Sequence, residues 1–221
     1  MKVFNHVGKP ILAELKQITS ESGSRVYLTP QGTRYPSITT ILQNYKKKEL
    51  MEWRRRVGEA EANRISSSAS RRGTKLHSLV EQYLDNKPLP VMNPLQQELF
   101  SSINPLLNDI DNIHIQEQRL YSDHLRLAGT VDCIAEHQGR LSIIDFKSST
   151  RPKDKKNIEN YFMQCTAYAI MYEELTKIPV DKIVLIVAVE GDDPQLFVEK
   201  RNNYVSDLLY YRDLYEKTNG G

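Results

Sequence analysis

Two cysteines, Cys133 and Cys165, are all that this chain contains. Two thiolates cannot build a four-thiolate zinc site or a cysteine-ligated iron–sulfur cluster within one chain. They could pair with each other, although a domain without secretory features more often keeps such thiols reduced. Long apolar runs are also missing: no stretch approaches the roughly 18 residues of a membrane span. The opening Met1-Lys2-Val3-Phe4-Asn5-His6 has neither an apolar signal core nor the Arg/Ser-rich, acid-poor pattern of a transit peptide, so a cytoplasmic protein is expected. Net charge is small, with 30 Lys+Arg against 28 Asp+Glu. That excludes a polycation of the histone kind and an acidic tail protein.

What is present reads as one soluble globular domain over residues 1–221, with 39% hydrophobic and 26% charged residues. The charge is unevenly spread. Residues 46 to 75 hold ten bases, among them Lys46, Lys47, Lys48, Arg54, Arg55 and Arg72, against four acids. A second basic spot follows at Arg151, Lys153, Lys155 and Lys156, opposed by Asp154 alone. Clustering of this kind on a nearly neutral chain suits a face for a polyanion; a solvated helix surface is the plainer alternative.

Patterning divides the chain in two. Residues 24–35 read as a small hairpin around Pro30-Gln31-Gly32. Ser37 suits a helix N-cap, and residues 36–110 read as mainly helical. Trp53, Val57 and Ala60 fall at helical spacing, as do Leu76, Leu79, Val80, Tyr83 and Leu84. From 111 to 217 the chain reads as a sheet-bearing core. Strands are expected at 113–121, 126–136, 141–148, 182–190 and 195–199, with helices at 157–176 and 203–217 and a frayed end at 218–221. Helices, a strand meander, a helix and a further strand predict an α/β sheet covered on both faces.

The chemistry concentrates on the strands. Gly129-Thr130-Val131-Asp132 is followed thirteen residues later by Asp145-Phe146-Lys147. Alternation puts Asp145 and Lys147 on one face of their strand and Phe146 on the other. A short turn makes the two strands antiparallel neighbours, so Asp132 and Asp145 can converge. Buried carboxylates need compensation, and a hard divalent cation supplies it. An ordinary ion pair at a strand end would account for Asp-x-Lys alone equally well. His77, in Arg72-Gly73-Thr74-Lys75-Leu76-His77, lies at the edge of a buried helical stripe, where it is either a ligand or a satisfied structural histidine. Gln164 and Tyr168 share one face of a later helix with Tyr161, Met171 and Leu175; a Gln inside that apolar stripe needs a polar partner.

In chain order, Gly73-Thr74-Lys75-Leu76-His77, Gly129-x-x-Asp132, Asp145-x-Lys147 and Gln164-x-x-x-Tyr168 resemble the RecB-type branch of the PD-(D/E)xK nuclease superfamily. Tyr35-Pro36-Ser37-Ile38-Thr39-Thr40-Ile41-Leu42 and the blocks Val131–Ala135 and Ile144–Ser149 are similar to a group of mitochondrial genome maintenance exonucleases with phage and bacterial relatives. The resemblance implies a restriction-endonuclease-like mixed central sheet flanked by helices, with the basic helical block forming an arch that admits single-stranded DNA. It implies one or two Mg²⁺ or Mn²⁺ ions held by His77, Asp132, Asp145 and the Phe146 carbonyl, with Lys147 acting on the attacking water. Glu117 matches an upstream carboxylate of the branch. Gln164 and Tyr168 would support the site or the DNA. Ser37, Thr39, Thr40, Lys46, Lys47, Lys48, Arg54, Arg55, Arg72, Ser148, Ser149 and Lys153 are candidate DNA contacts.

The resemblance thus implies a DNA exonuclease for processing, recombination or repair in a bacterial or phage-infected cell, with recombination or replication proteins as possible partners. The four-cysteine iron–sulfur subgroup of the branch is excluded by composition. The alternatives are a double-strand end-processing or structure-specific endonuclease, and an inactive DNA-binding module of the same fold.

Overall fold

The computed structural model describes residues 2–8, 10, 12–19 and 23–219. The expected hairpin is present as β2 (Arg25–Leu28) and β3 (Arg34–Pro36), joined by β1 (Lys16–Thr19) into a small antiparallel sheet. The third strand had no alternating pattern to reveal it; all four of its residues are exposed. Ser37 then caps α1 (Ile38–Ile41), its Oγ accepting from the Thr39 N–H.

Helices α2 (Lys47–Val57), α3 (Glu59–Leu84) and α4 (Pro94–Leu107) follow. Gly58, at φ +85°, separates α2 from α3. The spacing of Trp53, Val57 and Ala60 is therefore not one stripe, and Ala60 is exposed. No residue of α2 is buried, and between 59 and 75 only Ala62 is. The two segments form a helical arm that stands off the core. From Leu76 onward α3 turns apolar and enters the core through Leu76, Leu79, Val80, Tyr83 and Leu84. Asn93 and Gln96 form a capping box at the start of α4, with Pro94 in its first turn.

The main sheet runs β4-β5-β6-β7-β8, from β4 (Ile110–Ser122), β5 (Leu127–His137), β6 (Arg140–Ser149), β7 (Lys182–Val189) and β8 (Gln195–Lys200). β5 and β6 close through Gln138-Gly139, both at positive φ, the conformation of a two-residue I′ hairpin turn. β6 then pairs in parallel with β7, which makes the sheet mixed. The crossover helix α5 (Glu159–Thr176) supplies the connection that parallel pairing requires. With α6 (Val205–Asn219), α5 covers one face of the sheet through Phe162, Met163, Tyr172 and Leu208. α3 and α4 cover the other, against Cys133, Ile144, Phe146 and Ile186. Both layers draw on β5, β6 and β7, hence the nearly unbroken apolar runs of those strands. α6 extends through Thr218 and Asn219, two residues beyond the expected end; Gly220 and Gly221 lie outside the described residues. Cys133 and Cys165 are free and buried, and burial raises both thiols above the ordinary range. No helix among the described residues is long and apolar enough to cross a membrane.

Candidate active site

The β5–β6 ladder stops at the Cys133–Ile144 pair, one step before Asp132 and Asp145. Both strands continue, so they diverge there. The freed Phe146 N–H donates to Asp132 Oδ2 at 2.9 Å instead of to a strand partner. On the other side of β5, Gln116 pairs with Cys133 and Gln118 with Val131, but Glu117 and Asp132 between them do not pair. Glu117 has φ +46°, a left-handed conformation in the middle of a strand. Such backbone costs on the order of 1 kcal/mol for a residue with a Cβ, and outliers of this kind gather at functional sites.

α3 brings His77 to this gap. Its Nε2 lies 2.6 Å from the Phe146 carbonyl. Its Nδ1 lies 3.7 Å from Glu117 and 3.6 Å from Asp132. One ligand atom from each of His77, Glu117 and Asp132 falls within 4.8 Å of the others. Burial lowers the His77 imidazole, but Glu117 and Asp132 outweigh it and raise the pKa to about 9.

Asp145 is 1% exposed, and among the described residues its Oδ1 has no hydrogen-bond partner. Burial, with Asp132 adding to it against the pull of Lys147, raises its pKa to about 6. Lys147 Nζ sits 2.5 Å from Asp145 Oδ2 and 5.1 Å from the centre of the Tyr161 ring. Burial opposes the ammonium, but Asp145 and Asp132 more than offset it and hold Lys147 above the ordinary lysine value. Near neutrality the two residues are therefore an ion pair. The imidazole and two carboxylates that meet within 4.8 Å suit a hard divalent cation; Asp145 falls outside that group but interacts through its charge with His77 and Asp132.

The support beneath this cluster explains two of the motifs. Gln164 donates to Tyr168 Oη at 3.1 Å, and Tyr168 is buried. A Cβ on Gly129 would come within 2.8 Å of Tyr168 Cε1 and 3.1 Å of Ile38 Cγ2. Gly129, Tyr168 and Ile38 therefore interlock, which is why a glycine three residues before Asp132 goes with a tyrosine four residues after Gln164. Tyr161, on the Gln164 face of α5, reads in sequence as part of an apolar stripe. Nothing in that spacing places its ring over Lys147.

The candidate DNA contacts divide. Ser37 is buried as the α1 cap, Thr40 is buried, and Thr39 accepts from Arg25 at 3.2 Å. Arg54 is tied to Glu59 and, at 2.6 Å, to Asn63 within the arm. Arg55, Lys47 and Lys48 are exposed on α2. Lys46 reaches the Asn157 carbonyl, and Arg72 lies 3.4 Å from Ser148 Oγ and 3.7 Å from Glu190. Ser149 donates to the Arg151 carbonyl at 2.6 Å, its hydroxyl thus held inside the loop. Burial lowers the Lys153 ammonium, and the charges of Lys46, Arg151 and Arg72 lower it further. The two basic segments of the sequence thus meet around Lys153, at the feet of the arm.

Sheet, helices and acidic cluster together describe an α/β nuclease core. The model of the PD-(D/E)XK nuclease superfamily matches residues 92–204, half of the chain, and the chain belongs to that superfamily. Similar proteins include mitochondrial genome maintenance exonuclease 1 of Mus musculus, 28% identical over 193 residues, covering 81% of this chain and 57% of the mouse protein. The Homo sapiens protein of the same name is 29% identical over 131 residues, covering 53% of this chain and 38% of its own. The chain spans about half the length of these relatives. A crystal structure of a candidate exonuclease from Eubacterium rectale shares the fold, with a TM-score of 0.50 at 13% identity over 68% of this chain and 65% of that one.

Proposed function

We propose that this protein is a divalent-metal-dependent DNA exonuclease acting on single-stranded ends in DNA processing or repair. The observation that carries the reading is the meeting of His77, Glu117 and Asp132 within 4.8 Å, beside the orphaned oxygen of Asp145. His77 Nδ1, Glu117, Asp132 and Asp145 would hold Mg²⁺ or Mn²⁺, which when bound lowers the pKa of water and polarises phosphate oxygens, while the Phe146 carbonyl, against Nε2, orients the imidazole. Kinship with exonucleases of mitochondrial genome maintenance supports action on DNA ends.

The residues of the chain divide the remaining work. Asp145 and Tyr161 hold the Lys147 ammonium in one place. Held protonated, Lys147 is a poor base; it orients the attacking water and offsets charge that develops on the phosphate. Asp132 is fixed by the Phe146 N–H through Oδ2, the same oxygen that faces His77 Nδ1. Arg55, Lys47 and Lys48 on the arm, with Lys46, Arg72, Arg151 and Lys153 at its feet, line a track for the phosphate backbone.

The test is cleavage of end-labelled linear and circular DNA, single- and double-stranded, with Mg²⁺, Mn²⁺ or EDTA. Wild type should degrade linear single strands, and Asp145→Ala or Lys147→Ala should lose at least about a hundredfold in rate while still binding DNA. Cleavage of circular single strands would refute the exonuclease reading. Full activity in either variant would refute the site.

A further inference from the structure

A second cavity lies on the other side of α3 from the acidic cleft. The cleft uses Gly73, Thr74, His77, Ser78 and Glu81, which share one side of the helix. The cavity, of about 280 Å³, is floored by Leu76, Leu79, Leu95 and Leu99, where α3 crosses the start of α4. Arg71, Arg72 and Lys75 stand at its rim, and Arg72 pairs with Glu190 at 3.7 Å. Among the described residues neither Arg71 nor Lys75 makes an ion pair. Among the described residues no acidic side chain lines the cavity, and the positive end of the α4 dipole adds to the same field. Two unpaired cations over an apolar hole are a charge arrangement awaiting an acid that carries an apolar group.

Nucleic acid fits this hole poorly. Among the described residues no aromatic ring lines it, so a base has nothing to stack on there. Its two amide side chains, Asn93 and Gln96, already bond each other's backbone in the capping box: Asn93 Oδ1 takes the Gln96 N–H at 2.9 Å and Gln96 Oε1 takes the Asn93 N–H at 3.0 Å. Each oxygen is thus held in the cap rather than turned into the cavity as a reader of base edges. Its floor of four leucines suits an apolar side chain.

We infer that this cavity docks an acidic protein tail: a peptide chain end whose last side chain is bulky and apolar and whose carboxylates meet Arg71 and Lys75. Docking there would tether the enzyme to a partner while leaving the acidic cleft open to DNA.

The probe is a fluorescent hexapeptide, Gly-Ser-Asp-Glu-Leu-Phe with a free C-terminus, titrated with the whole protein by anisotropy. Saturable binding is expected, weakened roughly tenfold or more by Arg71→Ala/Lys75→Ala together and by replacing the terminal Phe with Ser. The double variant should degrade a short oligonucleotide within about twofold of wild type, which separates this test from the nuclease assignment. The inference is overturned by no saturation up to about 1 mM, by equal binding to the double variant, or by displacement of the peptide with a single-stranded decamer.

Discussion

Glu117 faces Asp132 across two strands that pair on either side of them but not between them. The cause is the left-handed backbone of Glu117, at φ +46°, which turns its carboxylate toward His77. A strand that merely needed to pair would not hold this conformation. Glu117→Gly should therefore stabilise the metal-free protein by up to about 1 kcal/mol, read from urea unfolding, because glycine carries no penalty there. The same change should cut the nuclease rate about tenfold or more, since a ligand is lost. Glu117→Gln, which keeps the strain, should lose activity without that gain.

The interlock of Gly129 with Tyr168 and Ile38 predicts a steric cost. Gly129→Ala places a methyl 2.8 Å from the Tyr168 ring, inside van der Waals contact. Unfolding free energy should fall by about 1–3 kcal/mol. Gly73→Ala is the control: its Cβ would meet only Ser148 Oγ, at 4.0 Å, so stability should be unchanged or improved.

Metal should stabilise the fold through the acidic cluster. At a hundred times its dissociation constant, a bound ion adds about 2.7 kcal/mol. Mg²⁺ or Mn²⁺ should raise the melting temperature of wild type, EDTA should reverse the rise, and Asp132→Asn should abolish it. A rise that persists in Asp132→Asn would place the ion elsewhere.

Salt dependence separates the arginines of the arm. Arg55 is exposed on α2, whereas Arg54 is held by Glu59 and Asn63. Arg55→Ala should reduce the slope of log affinity against log salt by about 0.7 for single-stranded DNA. Arg54→Ala should act chiefly on the packing of α2 against α3, read as a loss of protease resistance in the arm.

His137 should make the protein acid-sensitive. Burial and the neighbouring Lys182 ammonium lower its pKa below the ordinary 6.5, against a smaller opposing pull from Asp109. Lys182 Nζ lies 3.0 Å from Nδ1, which fits the neutral ring as acceptor. The unfolded chain then binds the proton more readily than the folded one, so this stability is present above pH about 6.5 and fades as pH falls through the depressed value. His137→Gln, which still offers Lys182 an oxygen, should flatten that fall in a melting series from pH 8 to 5.

Much of the site was legible because its residues are forced by local rules. Asp145 and Lys147 share a face since strands alternate, and they meet at 2.5 Å. Ser37 reads as a cap and is one. Glu117 could be matched by resemblance, but its inward turn could not be read, since nothing in Gln116-Glu117-Gln118 signals a positive φ. Tyr161 was hidden for a different reason: a ring over an ammonium looks, in one dimension, like any aromatic in an apolar stripe.

The sequence by itself determined the class of fold, the order of the elements and the set of chemical groups. Those follow from period, capping and turn chemistry, which act over a few residues. Tertiary structure alone decided where the β5–β6 ladder ends, which side chain each free N–H captures, and that charges over eighty residues apart meet around Lys153. Such outcomes depend on distances between segments remote in the chain, which are set by how the layers pack on the sheet.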